Sequence, residues 1–514
     1  MIDITESIQP LLALLCPALG SILILIFGKR PNVREAWTLL ASCFQFLIVL
    51  SMVPTILDGK RLVCYLFTMF PGIDFGFHVD AFGLLFALTA SSLWIVVSIY
   101  SIGYMRALKE HAQTRFYFCF ALAILGAVGV ALSGNLVTMY IFYEILTVST
   151  YPLVAHEQSP EALFAGRKYL AYLLTGGTFL LGAIALTYSI AGTTDFRPGG
   201  ILTGTMASRS MFLILFVLFV IGFMKAAYMP FHSWLPTALV APTPVSALLH
   251  AVAVVKAGVF GIVRTVGYIY GIDLMRDLGL GVMLTSFAAL TMIGASLFAV
   301  AQDNLKKRLA YSTISQLSFI IFGVALLSPM GVMGAMIYIP FHGFMKITLF
   351  LCAGAILVAS GKKNISEMAG IGRAMPVTML AFTVGALGMC GVPPVAGFIS
   401  KWFLAIGAVQ SGQIVFLALL LIASLLDVVY FYPIIRTAFF EKMPKDEVLN
   451  EREAKVELFS KKPKVVETRH PLYYFILIPI IITATISILF CLFPNMFHIY
   501  GLAQVAIRDL FGGW

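Results

Sequence analysis

Charge is scarce in this sequence. Only 11% of its 514 residues are Asp, Glu, Lys or Arg, against 60% hydrophobic residues and a mean hydropathy of +0.96, a balance that excludes a soluble protein of this length. Cysteine is sparse as well. Cys16, Cys43, Cys64, Cys119, Cys352, Cys390 and Cys491 never fall into a C-x-x-C spacing, so no zinc or iron–sulfur centre is expected and they read as small packing residues. The chain also lacks a G-x-x-x-x-G-K-[ST] loop and a G-x-G-x-x-G in a strand-turn-helix setting. ATP drive within the polypeptide is therefore not expected, and no cofactor is expected in this chain. A net charge of +10 would suggest a nucleic-acid partner in a soluble protein. Here the basic residues fall in short loops between apolar runs, which implies a lipid bilayer as partner and no nucleic acid.

What is present is a succession of apolar runs. At about 20 residues per crossing, helices are predicted near 8–28, 35–55, 81–105, 113–132, 135–155, 162–190, 209–228, 244–270, 278–301, 308–328, 332–359, 376–398, 413–436 and 472–494. The fold class expected is an all-α polytopic membrane protein with about 14 transmembrane helices. The first run follows Asp3 and Glu6 rather than a basic stretch, so it reads as a retained helix and not a cleaved signal. Loops after helices 1, 3, 5, 9, 11 and 13 carry Lys29, Arg30 and Arg34; Arg106, Lys109 and Arg115; Arg167 and Lys168; Lys306, Lys307 and Arg308; Lys362, Lys363 and Arg373; and a dense basic run from Arg436 to Arg469. The other side holds only Lys60, Arg61, Arg197, Arg209, Arg276 and Arg508. The basic side is predicted to be cytoplasmic, which puts both termini outside the cytoplasm of a cell (plasma) membrane protein.

Against that apolar background, six ionisable side chains lie deep inside predicted spans: Glu144, Lys225, Lys256, Lys346, Lys401 and Asp427. Each costs roughly 2.5–3.5 kcal/mol to insert near the bilayer centre, so the set points to an ion path. Arg264 and Asp80, near span ends, read as structural.

Proline inside a span frees backbone groups that are tolerated where they are buried in protein or line a wet cavity. Two regions fit, one from Lys225 through Pro230 and Pro236 to Pro244, the other from Gly391 through Pro393 and Pro394 to Lys401 and Trp402. Helices 7 and 12 are therefore predicted to be broken, each with a lysine near the break. The breaks recur five helices apart, which suggests two inverted five-helix repeats, since an odd number of helices reverses a unit in the membrane. The division expected is 1–110 (three N-terminal helices), 112–270 (helices 4–8), 275–440 (helices 9–13), 441–470 (a cytoplasmic charged loop) and 471–514 (helix 14). His232 and Trp234, beside the first break, read as loop-packing residues.

The run from Pro230 to Gly258, PFHSWLPTALVAPTPVSALLHAVAVVKAG, together with Tyr143-Glu144, the Asn304–Gln316 segment and the Gly391–Lys401 break, resembles the antiporter-like membrane subunits. That family comprises the large subunits of Mrp-type Na+/H+ antiporters (the D-type among them), the proton-pumping membrane subunits of complex I, and their counterparts in membrane-bound hydrogenases. The resemblance implies that a glutamate on helix 5 pairs with a lysine on helix 7, and that a row of lysines and histidines leads to a charged residue on broken helix 12. On matching positions these are Glu144, Lys225, Lys256 and Lys401, with His250, His342 and Lys346 in the central row. Two positions depart from the pattern. Gln316 stands where many relatives have a histidine and cannot titrate, so that proton stop is expected to be absent or replaced by water. Asp427 stands where many have asparagine and adds a carboxylate near Lys401. About twenty residues follow helix 14, so the long lateral helix of the largest complex I member is not expected in this sequence.

Glu144 sits about nine residues into its span, roughly 13 Å along the axis. Held together, Glu144 and Lys225 stabilise each other's charge; apart, dehydration favours their neutral forms, which would make the pair a switch. Lys256 could then take the proton that Lys225 releases. His250, six positions earlier, would lie about 120° away on an ideal helix, whereas His342 and Lys346, four apart, share a face. Lys401 and Asp427 would form the exit-side counterpart.

The function expected is a proton-translocating subunit of a redox-driven complex of complex I or hydrogenase type. Its expected partners are other membrane subunits, a second antiporter-like subunit and a peripheral iron–sulfur or hydrogenase-like module. The alternatives are the D-type large subunit of a stand-alone Mrp-type Na+/H+ antiporter and, less in keeping with a row of lysines, a secondary transporter of an organic solute. No redox centre is expected in the chain itself.

Overall fold

A computed structural model describes residues 4–442 and 471–512; the predicted charged loop lies outside the described residues beyond Lys442. The crossings are α1 Gln9–Ile26, α2 Pro31–Leu57, α3 Ala81–Ala107, α4 Gln113–Leu132, α5 Leu136–Val154, α6 Pro160–Ala191, α7 beginning Arg209–Gly222, α8 Thr243–Tyr270, α9 Leu280–Val300, α10 Leu305–Ala325, α11 Pro329–Ser360, α12 as the pair Pro376–Cys390 and Gly397–Gln410, α13 Ile414–Phe440 and α14 Pro471–Leu492. Twelve are long and apolar enough to span unbroken, and the two that fall short, Arg209–Gly222 and Pro376–Cys390, are the first halves of the helices expected to be broken. The chain is a polytopic, mostly helical membrane protein.

Local chemistry explains many of the boundaries. Asp80, Asn135, Ser159, Asn304 and Ser328 each accept a hydrogen bond from a backbone N–H three residues on, opening α3, α5, α6, α10 and α11. Pro160 and Pro329 follow their caps at a position where the missing N–H costs nothing. Gly192 and Gly361 close α6 and α11 in left-handed conformation.

Helix burial orders the bundle. The apolar window of α8 is wholly enclosed by protein, and those of α10, α11 and α3 are 94%, 89% and 83% buried, whereas α1, α2, α6, α13 and α14 fall between 33% and 39%. The central helices carry Lys256, His342 and Lys346, so the charges that would be costly in lipid are shielded from it by the outer ring.

The two faces of the bundle differ. Residues from the connections after α5, α9 and α11, with residues between 233 and 242, surround one cavity of ≈ 800 Å³ lined by Tyr104, Glu157, Lys168, Ser233, Lys306 and Lys363, among others. These connections therefore share a face, as the alternation of basic loops requires. On the opposite face lies a small sheet that the all-α reading omitted. Strand β1 (Ile4–Glu6) runs parallel to β2 (Arg61–Phe70), which pairs antiparallel with β3 (Ile73–Val79). Pro71 and Gly72, the latter at φ +75°, turn β2 into β3, and two β-branched and aromatic runs flanking Pro-Gly were the available signal. Arg61 of β2 pairs with Asp509 at 3.3 Å, on a C-terminal helix, α15 (Ile499–Phe511). The N-terminal sheet and the C-terminal helix thus meet at one face.

Candidate functional site

The first break begins where α7 ends at Gly222. Met224–Ala226 tighten into a 3₁₀ turn carrying Lys225, Ala227 adopts φ +57°, and the backbone then passes Pro230 to the short helix Trp234–Thr237. Carbonyls freed by the break find side-chain donors: Tyr143 OH donates to Gly222 O at 3.1 Å, and Trp234 Nε1 to Met224 O at 3.3 Å. Trp234 is therefore a packing and capping residue, in line with the sequence reading. Helix α8 approaches this turn through Gly258 and Gly261, where a Cβ would collide with the Ala226 backbone and the Phe223 ring.

Lys225 and Glu144 are not in ion-pair contact. Lys225 Nζ donates to the Tyr143 carbonyl and lies over the Tyr143 ring, 3.1 Å from its centroid. Its neighbour in sequence, Glu144, turns its carboxylate against α6, where Gly177 leaves no room for a Cβ. Neither carboxylate oxygen has a hydrogen-bond partner among the described residues, although the two charges remain within electrostatic reach. The structure does not bring the expected pair into contact, and the Tyr143 backbone and ring take the place of the carboxylate as the ammonium's partner.

The central row collects on α8, α10 and α11. Lys256, His250, His342 and Lys346 are all fully buried. Lys346 Nζ donates to Ser312 Oγ on α10, while Lys256 Nζ and both ring nitrogens of His250 and His342 have no hydrogen-bond partner among the described residues. Lys256, Lys346 and His250 all act electrostatically on His342, so these four residues form one group. The separation of about 120° between His250 and Lys256 does not hold. Leu248–Val252 form a π-helical turn, and Ala253 at φ −116°, ψ −73° interrupts the helix before Val254–Arg264. A second π turn covers Thr265–Tyr270, and such turns inside α-helices concentrate at functional sites. The His250 ring packs against Phe350 of α11 with centroids 4.7 Å apart and planes tilted by 33°.

At the second break, the first half of α12 ends at Gly391 (φ +81°), and a Cβ there would sit 2.7 Å from Lys401 Cδ. Glycine is needed for both the backbone turn and the passage of the lysine stem. Lys401 Nζ meets Asp427 Oδ2 at 2.6 Å and lies 4.5 Å from the Phe319 ring centroid. The same Asp427 oxygen accepts from Gln316 Nε2 at 2.8 Å, and Oδ1 accepts from Tyr430 OH at 2.7 Å. Gln316 Oε1 in turn accepts from Tyr338 OH, whose ring lies 6.0 Å from that of His342. Gln316 therefore fills its position with its own amide, which ties α10 to α13 and α11. The linking hydroxyls of Tyr143, Ser312, Tyr338 and Tyr430 were missed by the sequence reading. Tyr338 stands four residues before His342, and Tyr430 three after Asp427, spacings that place each on the face of a named residue.

Arg264 and Asp80 do not snorkel. Arg264 donates through both terminal nitrogens to the two Asp80 oxygens, Nη2 to Oδ1 at 2.8 Å, with both residues buried. Phe82, Phe196, Phe260 and Tyr268 surround the guanidinium. This bidentate pair joins α3 to α8 and serves structure, as expected, although for a different physical reason.

Comparisons with known proteins agree with this fold. Residues 133–427 match the family model described as NADH:quinone oxidoreductase/Mrp antiporter, TM, and residues 70–117 match NADH-Ubiquinone oxidoreductase (complex I), chain 5 N-terminus. The chain is 31% identical over 356 residues to NADH-quinone oxidoreductase subunit N of Desulforudis audaxviator (strain MP104C), covering 69% of this chain and 70% of that protein. It is 28% identical over 516 residues to a protein described as antiporter subunit mnhA2 of Staphylococcus aureus (strain MSSA476), covering 96% of this chain and 62% of that one. In fold it is similar to a chain of the Mrp complex from Dietzia sp. DQ12-45-1b, with a TM-score of 0.84, 22% identity and coverage of 98% and 97%. It is equally similar to a chain of the membrane-bound sulfane sulfur reductase, an archaeal respiratory membrane complex, with a TM-score of 0.83, 24% identity and 98% coverage of both. With its two broken helices and the row of buried titratable residues between them, this chain belongs to the NADH:quinone oxidoreductase/Mrp antiporter membrane-subunit family.

Proposed function

We propose that this chain is the ion-translocating, antiporter-like component of a multisubunit membrane complex. In this reading protons pass along Lys225, Lys256, the His250, His342 and Lys346 group, and Lys401, with Glu144 and Asp427 as the carboxylates that favour or release charge at the two ends. The observation that carries it is the enclosure of four titratable residues on the most buried helices, flanked by a lysine at each helix break. In a medium that penalises every isolated charge, such a group is costly unless charge moves through it.

A switch follows from the separated Lys225 and Glu144. When the carboxylate approaches, it stabilises the ammonium. When it withdraws toward Gly177, the ammonium is left on the Tyr143 carbonyl and ring, which compensate less well for lost hydration, and proton transfer toward Lys256 becomes favourable. At the other end Lys401 holds its carboxylate, so the two ends occupy opposite phases of the same exchange. The two units, helices 4–8 and 9–13, would each supply one lysine and one carboxylate. The ≈ 800 Å³ cavity, with Glu157, Lys168 and Lys306 on its wall, is the aqueous approach to the row from the basic face. We assign that face to the cytoplasm of the cell membrane, with both termini on the opposite side, and tags at both termini accessible from outside intact cells are the expected result.

The drive is expected to come from a redox module in a partner protein, with a second antiporter-like subunit alongside. The similarity to the Mrp complex chain and to the Staphylococcus antiporter protein supports a second reading, a component of a stand-alone Mrp-type antiporter. Purification in mild detergent followed by mass spectrometry separates the two: iron–sulfur proteins co-purify in the first case and only small hydrophobic proteins in the second. Reconstitution of the intact complex in proteoliposomes with a pH-sensitive dye then tests translocation itself, and an energised complex that moves no ions would sink both readings.

A further inference from the structure

One cluster of potential ligands lies apart from the translocation row. Glu110 and His111 occupy the connection between α3 and α4, and His156 follows α5. One ligand atom from each lies within 4.8 Å of the other two. His156 is fully buried, and neither of its ring nitrogens has a hydrogen-bond partner among the described residues. Its Nε2 faces Glu110 Oε2 at 3.9 Å, and its ring lies 4.8 Å from that of His111 and 6.0 Å from Phe116. The backbone beside it is secured separately, since Arg115 donates to the His156 carbonyl at 2.8 Å. A buried imidazole with both nitrogens unsatisfied carries a desolvation cost that a ligand would remove.

We propose that Glu110, His111 and His156 bind a divalent transition-metal ion of the zinc class on the face of the protein that carries the cavity. Two imidazoles and one carboxylate are a donor set that suits such an ion and leaves a fourth position for water. Around a tetrahedral ion with bonds of about 2.0–2.2 Å, ligand atoms stand about 3.3–3.6 Å apart. The 3.9 Å pair is close to that, and the exposed His111 and half-buried Glu110 provide the freedom to close the remainder. The ion would tie the α3–α4 connection to the end of α5 beside Glu157, a cavity-lining residue.

The test is Zn2+ binding to the purified complex, followed by competition with a chromophoric chelator, with wild type compared against His111→Ala and Glu110→Gln. His111 is exposed, so its loss does not threaten folding. The expected result is one Zn2+ more per complex in the wild type than in His111→Ala, or a site at least about tenfold weaker in each variant. Equal stoichiometry and affinity in wild type and both variants, or no Zn2+ bound by this chain's complex, would overturn the proposal. The readout is independent of transport, so it stands or falls separately from the function proposed above.

Discussion

The two helix breaks share a plan and differ in state. Each interrupts a helix with proline, each holds one cis X-Pro bond (Met229-Pro230 and Pro393-Pro394), and each presents a lysine. Yet Lys225 rests on the Tyr143 carbonyl while Glu144 stands unpaired, whereas Lys401 is locked to Asp427, which also accepts from Gln316 and Tyr430. The lysines also differ in placement: Lys225 lies within its break on a 3₁₀ turn, and Lys401 lies one turn inside the half-helix that follows. The same pairing of residue types therefore gives an open end and a closed end. What decides between them is the number of hydrogen bonds offered to the carboxylate, none at Glu144 and three at Asp427, since converging donors hold a buried carboxylate in place.

The comparison can be broken most directly at Lys225. Lys225→Ala should abolish ion translocation by the reconstituted complex while assembly, followed by size-exclusion profile and subunit stoichiometry, is retained; full translocation would refute the row. Asp427→Asn keeps the shape at the closed end but removes the charge facing Lys401. Translocation should fall at least about tenfold, equivalent to about 1.4 kcal/mol on the barrier, and an unchanged rate would show that the α13 carboxylate has no part in it. The Arg264–Asp80 pair sharpens the contrast, because it is buried and charged but outside the row. Asp80→Ala should cost about 3–5 kcal/mol by stranding the guanidinium, read as a lower unfolding temperature of the complex, with the rate per folded complex preserved. Gly391→Ala should destabilise by about 1–2 kcal/mol through the left-handed backbone alone and should also displace Lys401. The smallest effect is expected from Tyr143→Phe, which removes one hydrogen bond to the Gly222 carbonyl, worth about 1 kcal/mol, and leaves the backbone acceptor of Lys225 intact.

Much of the fold could be read because membrane insertion imposes a coarse rule on sequence. A run of about 20 apolar residues must cross, and the predicted centre of every span coincides with an observed helix, including 135–155 against Leu136–Val154 and 413–436 against Ile414–Phe440. The sheet escaped because Arg61–Phe70 and Ile73–Val79 are short apolar runs, which periodicity alone does not separate from helix ends. The cluster of Glu110, His111 and His156 escaped for another reason. Its members come from two connections far apart in sequence, and nothing local announces that they meet.

The order of residues alone was enough for the class, the sites of both breaks and the presence of titratable residues inside spans, because burying a charge or a proline in a span leaves a mark at that position in the chain. Which side chains face one another was left to the packing. Ala253 and the π turn of Leu248–Val252 reset the angle between His250 and Lys256, Gly177 made room for Glu144 away from Lys225, and Gln316 joined Tyr338 to Asp427 across three helices. Those pairings depend on contacts between helices far apart in sequence, and a hydrogen bond of about 3 Å is set by side-chain geometry that no pattern of apolar residues records.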